Sequence, residues 1–230
     1  MSASPHSFPK LPQRPDVLGE LLHSISQPLT SLRCSLELSL QPSLEHSPAL
    51  SLEQVAEQRQ ESVVAALQQT ERVIGMIRLM REYLDAEQHR PEGFSSALAP
   101  ALQSVVEELS SIALVHGIQL RLVGTCSSTV PVPEPRLRLA LQYLISIMIE
   151  AQHVGGKVTL LLGEGPAGAV LRGESDPGFS GPSAATETLR RVKLAIASRV
   201  LEAAGASLVF GDVGPAGFVL RIPSRAGAPA

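Results

Sequence analysis

Apolar residues in the first third of the chain recur in alternating steps of four and three positions. This spacing places them on one stripe of an α-helix and is typical of coiled coils and helical bundles. Between two such runs lies the segment QPSLEHSPALS, whose prolines and serines favour a turn. The pattern predicts helices over residues 14–41 and about 50–89. The stripe residues are Leu18, Leu22, Ile25, Leu29, Leu32 and Leu36 in the first helix, and Val63, Ala66, Thr70, Val73, Ile77, Met80 and Leu84 in the second.

Two helices with such narrow apolar stripes bury little surface when they pair only with each other. Two copies side by side would bury both stripes in a four-helix bundle. We therefore expect an antiparallel helical hairpin over residues 14–90 that forms a homodimer. The alternative is an antiparallel pair of helices that packs against the rest of the same chain.

The pattern changes after Pro91, where shorter segments alternate between helical and extended character. SSALAPALQSVVEELSSIALVHG predicts a helix that ends at Gly117, and IQLRLVG alternates as a strand does. Two further helices are predicted, one with Pro135 in its first turn and one that ends at Gly205. The other predicted strands are STVPVPEP, KVTLLLG, AVLRGES and a hairpin in ASLVFGDVGPAGFVLRIPS that turns at Gly214 and Pro215. The order αββαββαββ predicts an α/β sandwich with helices on one face of a mixed sheet, and an α+β class for the whole chain.

Composition narrows the possible functions. Aromatic residues make up 3% of the chain and Trp is absent, so the core must be aliphatic. The net charge of −3 and the lack of a basic stripe argue against nucleic acid as a partner. Cys34 and Cys126 are far apart, and we expect two buried, reduced thiols in a cytoplasmic protein. The sequence shows no run of about 18 apolar residues, so we expect no membrane span. It also has no His-x-x-x-His or Cys-x-x-Cys pair, so we expect no metal site of these types.

One histidine and one proline stand out within the first predicted helix. His23 follows a stripe leucine and lies about 100° around the helix from it, so it should face solvent on the flank of the bundle. Pro28 has no N–H to donate to the carbonyl of Ser24, so we expect a bend just after the histidine. Taken alone, the pair is equally compatible with a surface histidine near an incidental kink.

The string from His23 to Leu32, HSISQPLTSL, resembles the H-box of sensor histidine kinases. In that motif a phosphate-accepting histidine is followed by an acidic residue and later by a proline, here Pro28. The resemblance implies that His23 is the phospho-acceptor, with Ser24, Gln27 and Pro28 as the rest of the site. Ser24 departs from the pattern, because the family's acidic residue orients the ring or takes its proton. Autophosphorylation from ATP should therefore suffer, whereas exchange with a receiver domain need not.

Residues 94–223 resemble the ATP-binding domain of the same kinases in the order of their elements. The two asparagines of the family's N-box align with Tyr143 and Ile147, and isoleucine offers no oxygen to Mg²⁺. The first glycine box survives in part as DPGFS, where Asp176 and Gly178 would form a vestigial adenine site.

The second glycine box of that family departs further. Arg191 and Lys193 lie where its glycines belong. Too few residues separate Gly181 from the next predicted helix to form a flexible lid. The resemblance therefore implies a degenerate nucleotide domain with no cofactor, and Mg-ATP only if the site is a divergent active one.

These observations predict four segments: a disordered leader over 1–13, the dimerisation and phosphotransfer hairpin over 14–90, the degenerate domain over 94–223 and a disordered tail over 224–230. The expected function is a pseudokinase-type phosphorelay in two-component signalling, in which His23 passes phosphoryl groups to or from receiver aspartates. The expected partners are a second copy, a receiver domain and an upstream kinase, with neither nucleic acid nor membrane. The alternatives are an active histidine kinase and a non-catalytic dimeric scaffold.

Overall fold

The N-terminal part of the chain is a pair of long helices. The computed structural model describes residues 17–40, 52–88, 95–165, 167–176, 184–211 and 217–223. Helix α1 spans Val17–Leu40 and α2 spans Leu52–Gln88, as the spacing of apolar residues predicts. The two helices pack against each other, and both Leu21 near the start of α1 and Tyr83 near the end of α2 belong to the hydrophobic core.

The apolar stripe of α1 is largely exposed, and the buried residues of the helix lie beside it. Leu21 is 1% exposed and Pro28 is buried, whereas Leu22, Leu29 and Leu36 are 54%, 46% and 44% exposed. The three exposed leucines belong to the predicted stripe and recur at seven-residue intervals, whereas Leu21 and Pro28 lie beside that stripe. Whether a second copy covers the stripe stays a prediction.

The C-terminal part is an α/β sandwich. Its sheet has five strands in the order β2-β4-β5-β7-β6, with β2 parallel to β4 and the other neighbours antiparallel. The predicted α+β class is confirmed. The elements are β1 Ser96–Ala97, α3 Leu98–Val115, β2 Gln119–Val123, β3 Thr129–Val130, α4 Glu134–Glu150, β4 Lys157–Gly165, β5 Gly168–Ser175, α5 Ala184–Glu202, β6 Ser207–Phe210 and β7 Phe218–Pro223.

Helices α3, α4 and α5 cover one face of this sheet. Alternate residues of β4, namely Val158, Leu160 and Leu162, are buried and share one core with the three helices. The predicted strand STVPVPEP is shorter than expected and lies outside this sheet. Thr129–Val130 pairs instead with Ser96–Ala97, two residues that the sequence pattern assigned to a helix.

Two glycines end helices where the sequence predicts it. Gly117 has φ 68° and its N–H donates to the carbonyl of Leu114, so it closes α3 in a left-handed conformation. Gly205 has φ 76° and its N–H donates to the carbonyl of Glu202 at the end of α5. The predicted hairpin turn at Gly214 and Pro215 lies outside the described residues.

Two expectations from composition need correction. Cys34 is exposed and Cys126 is half-buried, so the two free cysteines are not both core residues. Helix α3 is long and apolar enough to cross a membrane, although no such run was expected from the sequence. Its buried residues pack in the core of the sandwich, so α3 is a core helix.

Candidate functional site

His23 lies on the exposed surface of α1, as its offset from the apolar stripe predicts. Gln27, one turn further along, is also exposed, whereas Ser24 is half-buried. The imidazole is therefore open to solvent. Its role as a phospho-acceptor stays a prediction.

Pro28 lies inside an unbroken helix. Helix α1 runs from Val17 to Leu40 with the proline in its interior, and the buried pyrrolidine ring faces the protein. The carbonyl of Ser24 receives no backbone donor from position 28, because proline has no N–H. Nearby, the hydroxyl of Thr30 donates to the carbonyl of Ser26 at 2.9 Å. The proline thus leaves one helical carbonyl without its usual donor next to His23.

Helix α5 of the sandwich packs against the hairpin beside His23. Arg191 Nη1 donates to the carboxylate of Glu20 at 3.1 and 3.3 Å, and Glu20 lies one turn before His23. Arg191 Nε also lies 3.6 Å from Glu187. A cation from the second part of the chain is therefore fixed within a turn of the candidate nucleophile.

A second contact joins α4 to the hairpin. The hydroxyl of Tyr143 donates a short hydrogen bond to the carboxylate of Glu82. Burial raises the pKa of Tyr143 well above its ordinary value, and the hydrogen bond and negative charge of Glu82 raise it further. Tyr143 therefore stays protonated and can keep donating. The residue that the family resemblance aligns with an N-box asparagine is here a contact between the two parts of the chain.

Two arginines extend the same interface. Arg136 Nη2 donates to the carbonyl of Asp85 at 3.0 Å, and the guanidinium of Arg199 lies 4.0 Å from the centroid of the Tyr83 ring. Stacking of a guanidinium on an aromatic ring stabilises through the ring's quadrupole. The sandwich is thus held to the hairpin by polar contacts from α4 and α5.

The structure describes some of the residues that the resemblance aligns with the nucleotide motifs, and it gives no side-chain hydrogen bond or ion pair between them. Asp176 is exposed and follows β5, with its N–H bonded to the carbonyl of Lys157 at 3.2 Å. Gly178 and Gly181 lie outside the described residues. Ile147, aligned with the metal-binding asparagine, is 1% exposed in the core. No three His, Cys, Asp or Glu side chains within the described ranges are arranged to hold a metal ion.

The other basic residue of the second glycine box is held by an acid. Lys193 Nζ lies 2.5 Å from Glu150, and this ion pair joins α5 to the end of α4. The lysine side chain is mostly buried. This internal ion pair therefore uses one of the two basic residues that the resemblance places in the second glycine box.

Comparison with known proteins supports the fold. No protein-family model matches the chain, and no curated protein matches it. The solved structure of the Acinetobacter baumannii histidine kinase AdeS matches with a TM-score of 0.63 at 15% identity, over 88% of this chain and 98% of that one. A histidine kinase from Burkholderia phymatum STM815 matches at 18% identity over 90% and 98% of the two chains, with a TM-score of 0.46. The cytoplasmic segment of histidine kinase QseC matches at 19% identity over 57% and 78%, with a TM-score of 0.45.

The likeness to AdeS extends over nearly all of both chains. It shows that this chain has the fold of a sensor histidine kinase, as the H-box string at His23 indicates. The contacts of Tyr143 with Glu82 and of Arg191 with Glu20 were not predicted. No local pattern carries a signal for them, because their partners are 61 and 171 positions apart.

Proposed function

We propose that this protein passes phosphoryl groups in two-component signalling, with His23 exchanging them with the aspartate of a receiver domain. The observation that carries the proposal is the exposed position of His23 on the first helix of a hairpin with the histidine kinase fold. A phosphotransfer histidine must be reachable by a second protein, and this one lies on an open helix surface.

The transfer step requires only groups that the two proteins supply. A neutral imidazole nitrogen is a nucleophile near pH 7 and attacks the phosphorus of an aspartyl phosphate. An N–P bond forms, the acyl P–O bond breaks, and the aspartate leaves as a carboxylate. The receiver contributes its acidic pocket and Mg²⁺. The carboxylate that autophosphorylation uses, replaced here by Ser24, is not needed for this exchange.

Several residues argue against an active kinase site. Ile147 has no oxygen for Mg²⁺ and is buried, and Tyr143 contacts Glu82. Lys193 is paired with Glu150. We propose that Mg-ATP binding is impaired and that no nucleotide cofactor is needed.

The exposed half of the α1 stripe favours a homodimer. Leu22, Leu29 and Leu36 line one edge of α1, and α2 exposes Val63, Val64, Leu67, Ile74, Ile77 and Leu84. Residues at seven-position intervals pack against an identical helix in a bundle. We propose that a second copy covers this face. The free thiols of Cys34 and Cys126 suit the reducing cytoplasm, where we place the protein.

The decisive experiment is phosphotransfer from purified receiver domains loaded with acetyl [³²P]phosphate. We expect an acid-labile, base-stable label on the wild type and none on His23→Ala. His153→Ala removes another exposed histidine and should keep the label. If His23→Ala is labelled as strongly as the wild type, the proposal is wrong.

The same samples with [γ-³²P]ATP separate the alternatives. Labelling of His23 from ATP, together with Mg-ATP binding by calorimetry, would establish an active kinase with a divergent site. The exposed Asp176 is the feature that favours this alternative. A dimer labelled by neither donor would be a scaffold that binds partners without phosphate chemistry.

A further inference from the structure

The contact between Arg191 and Glu20 joins helix α5 to helix α1 through two surface side chains. Their side chains are 56% and 37% exposed, and ion pairs at such exposure add little to stability. The contact nevertheless brings a guanidinium from α5 to the helical turn that carries His23. Residues three apart on a helix are neighbours on its surface, so Glu20 and His23 share one face of α1.

The guanidinium is only partly used by this contact. Nη1 bonds to Glu20 and Nε faces Glu187. Within the part of the chain that the structure describes, Nη2 has no hydrogen-bond partner. The guanidinium is rigid and planar, so the contacts of Nη1 and Nε with the two carboxylates also fix the direction of the Nη2 donor.

We propose that Arg191 is a phosphoryl-positioning residue for His23, oriented by Glu20. This inference rests on the proposed phosphotransfer function. When His23 carries a phosphoryl group, Arg191 donates a hydrogen bond to one of its oxygens. The second part of the chain thereby completes the site on the hairpin with a cation.

The charges explain why such a cation is needed. A phosphoryl group on His23 brings about two negative charges within one helical turn of the Glu20 carboxylate. Like charges at this spacing repel, and the neighbouring Arg191 offsets that repulsion. Loss of Arg191 alone should therefore hinder phosphorylation, whereas loss of both charges should hinder it less.

The inference can be tested without a receiver by using phosphoramidate as the phosphodonor. The imidazole nitrogen attacks phosphorus, an N–P bond forms, the P–N bond of the reagent breaks and ammonia leaves. Peptide mapping would measure labelling at His23 relative to His153. Because His153 is another exposed histidine of the same molecule, it corrects for protein concentration and general reactivity.

We expect Arg191→Ala to lower the His23 labelling ratio about fivefold, the effect of losing one exposed charge-assisted hydrogen bond. Arg191→Lys, which keeps the charge, should restore most of it. Glu20→Gln keeps an oxygen that accepts from Arg191 and removes only the repelling charge, so it should not lower the ratio. The Arg191→Ala/Glu20→Gln double variant should exceed Arg191→Ala. Arg190→Ala is the matched control, because Arg190 is the adjacent arginine and contacts Glu187 and Phe210 instead.

A merely structural contact gives a different result. In that case Glu20→Gln and Arg191→Ala would lower the ratio equally, and the double variant would be no better than either. That pattern, or an unchanged ratio in Arg191→Ala, overturns the inference. If His23 is labelled no faster than His153 in the wild type and the receiver assay also fails, the proposed function itself is wrong.

Discussion

Tyr143 of α4 donates a hydrogen bond to Glu82 of α2 and so ties the sandwich to the helical hairpin. The family resemblance places the first N-box asparagine at this position. In this chain the side chain instead joins the two parts of the molecule, with Arg136 and Arg199 making further contacts nearby. These contacts hold the sandwich against the hairpin that carries His23.

The Tyr143–Glu82 bond should be measurable in stability. We expect Tyr143→Phe to lower the free energy of unfolding by about 1 kcal/mol, because the half-buried Glu82 carboxylate loses its donor. A double-mutant cycle with Glu82→Ala, which removes the acceptor, followed by urea unfolding, should give a coupling energy of about 1 kcal/mol. Tyr83→Phe, which keeps the ring under Arg199, is the control. Strictly additive effects would show that the bond contributes nothing.

The raised pKa of Tyr143 predicts a loss of stability at alkaline pH. Its folded pKa lies above the unfolded value of about 10, so its contribution is present below pH 10 and is lost as pH rises further. The chain has two tyrosines and no Trp, so phenolate absorbance of Tyr83→Phe reports Tyr143 alone. Titration near the ordinary pKa in the folded protein would contradict the structure. Adding Glu82→Gln should lower the pKa only in part, because burial is the main cause.

Glu164 predicts a second pH dependence, at the acidic end. Hydrogen bonds from the hydroxyl and then the backbone N–H of Ser127 lower the pKa of Glu164. Its contribution is therefore present above the unfolded pKa of about 4.3 and is lost as pH falls through the lower folded pKa. NMR titration of the carboxyl should show this depression. Glu164→Gln should flatten the acid limb of stability slightly, because the variant has no carboxyl group to titrate there.

If the exposed leucines of α1 form the dimer interface, a charge placed among them should weaken self-association. Leu29→Glu should weaken self-association at least about 100-fold, since each dimer would bury two unpaired carboxylates. Sedimentation equilibrium would measure the change. Ser31→Glu places the same charge on another exposed side of α1 and should leave association intact. A wild type that is monomeric at high concentration would contradict the proposed homodimer.

Restoring the family's asparagine should not create a metal site. Ile147→Asn places an amide in the aliphatic core, and we expect a loss of about 3 kcal/mol in the free energy of unfolding. Calorimetry should detect no gain in Mg-ATP binding. Ile147→Val, which keeps the position apolar, should cost only about 1 kcal/mol. Tight Mg-ATP binding by a folded Ile147→Asn protein would show that the surrounding site is intact.

Local pattern was sufficient for much of the fold. The alternating steps of four and three define both long helices, and Gly117 and Gly205 mark the ends of two others. The exposure of His23 follows from its angle to the apolar stripe. These features depend on neighbours within a few positions, so a single sequence carries them. The domain boundaries at 14–90 and 94–223 stay a prediction.

The packing partner of each apolar or charged helix face depends on the tertiary structure. Periodicity places Leu22 on the apolar stripe of α1, but it does not show that Leu22 is exposed in the single chain while the neighbouring Leu21 is buried in the core. The ties of Tyr143 to Glu82 and of Arg191 to Glu20 join residues far apart in sequence. Their pairing depends on how α4 and α5 pack against the hairpin, and no local spacing encodes that geometry.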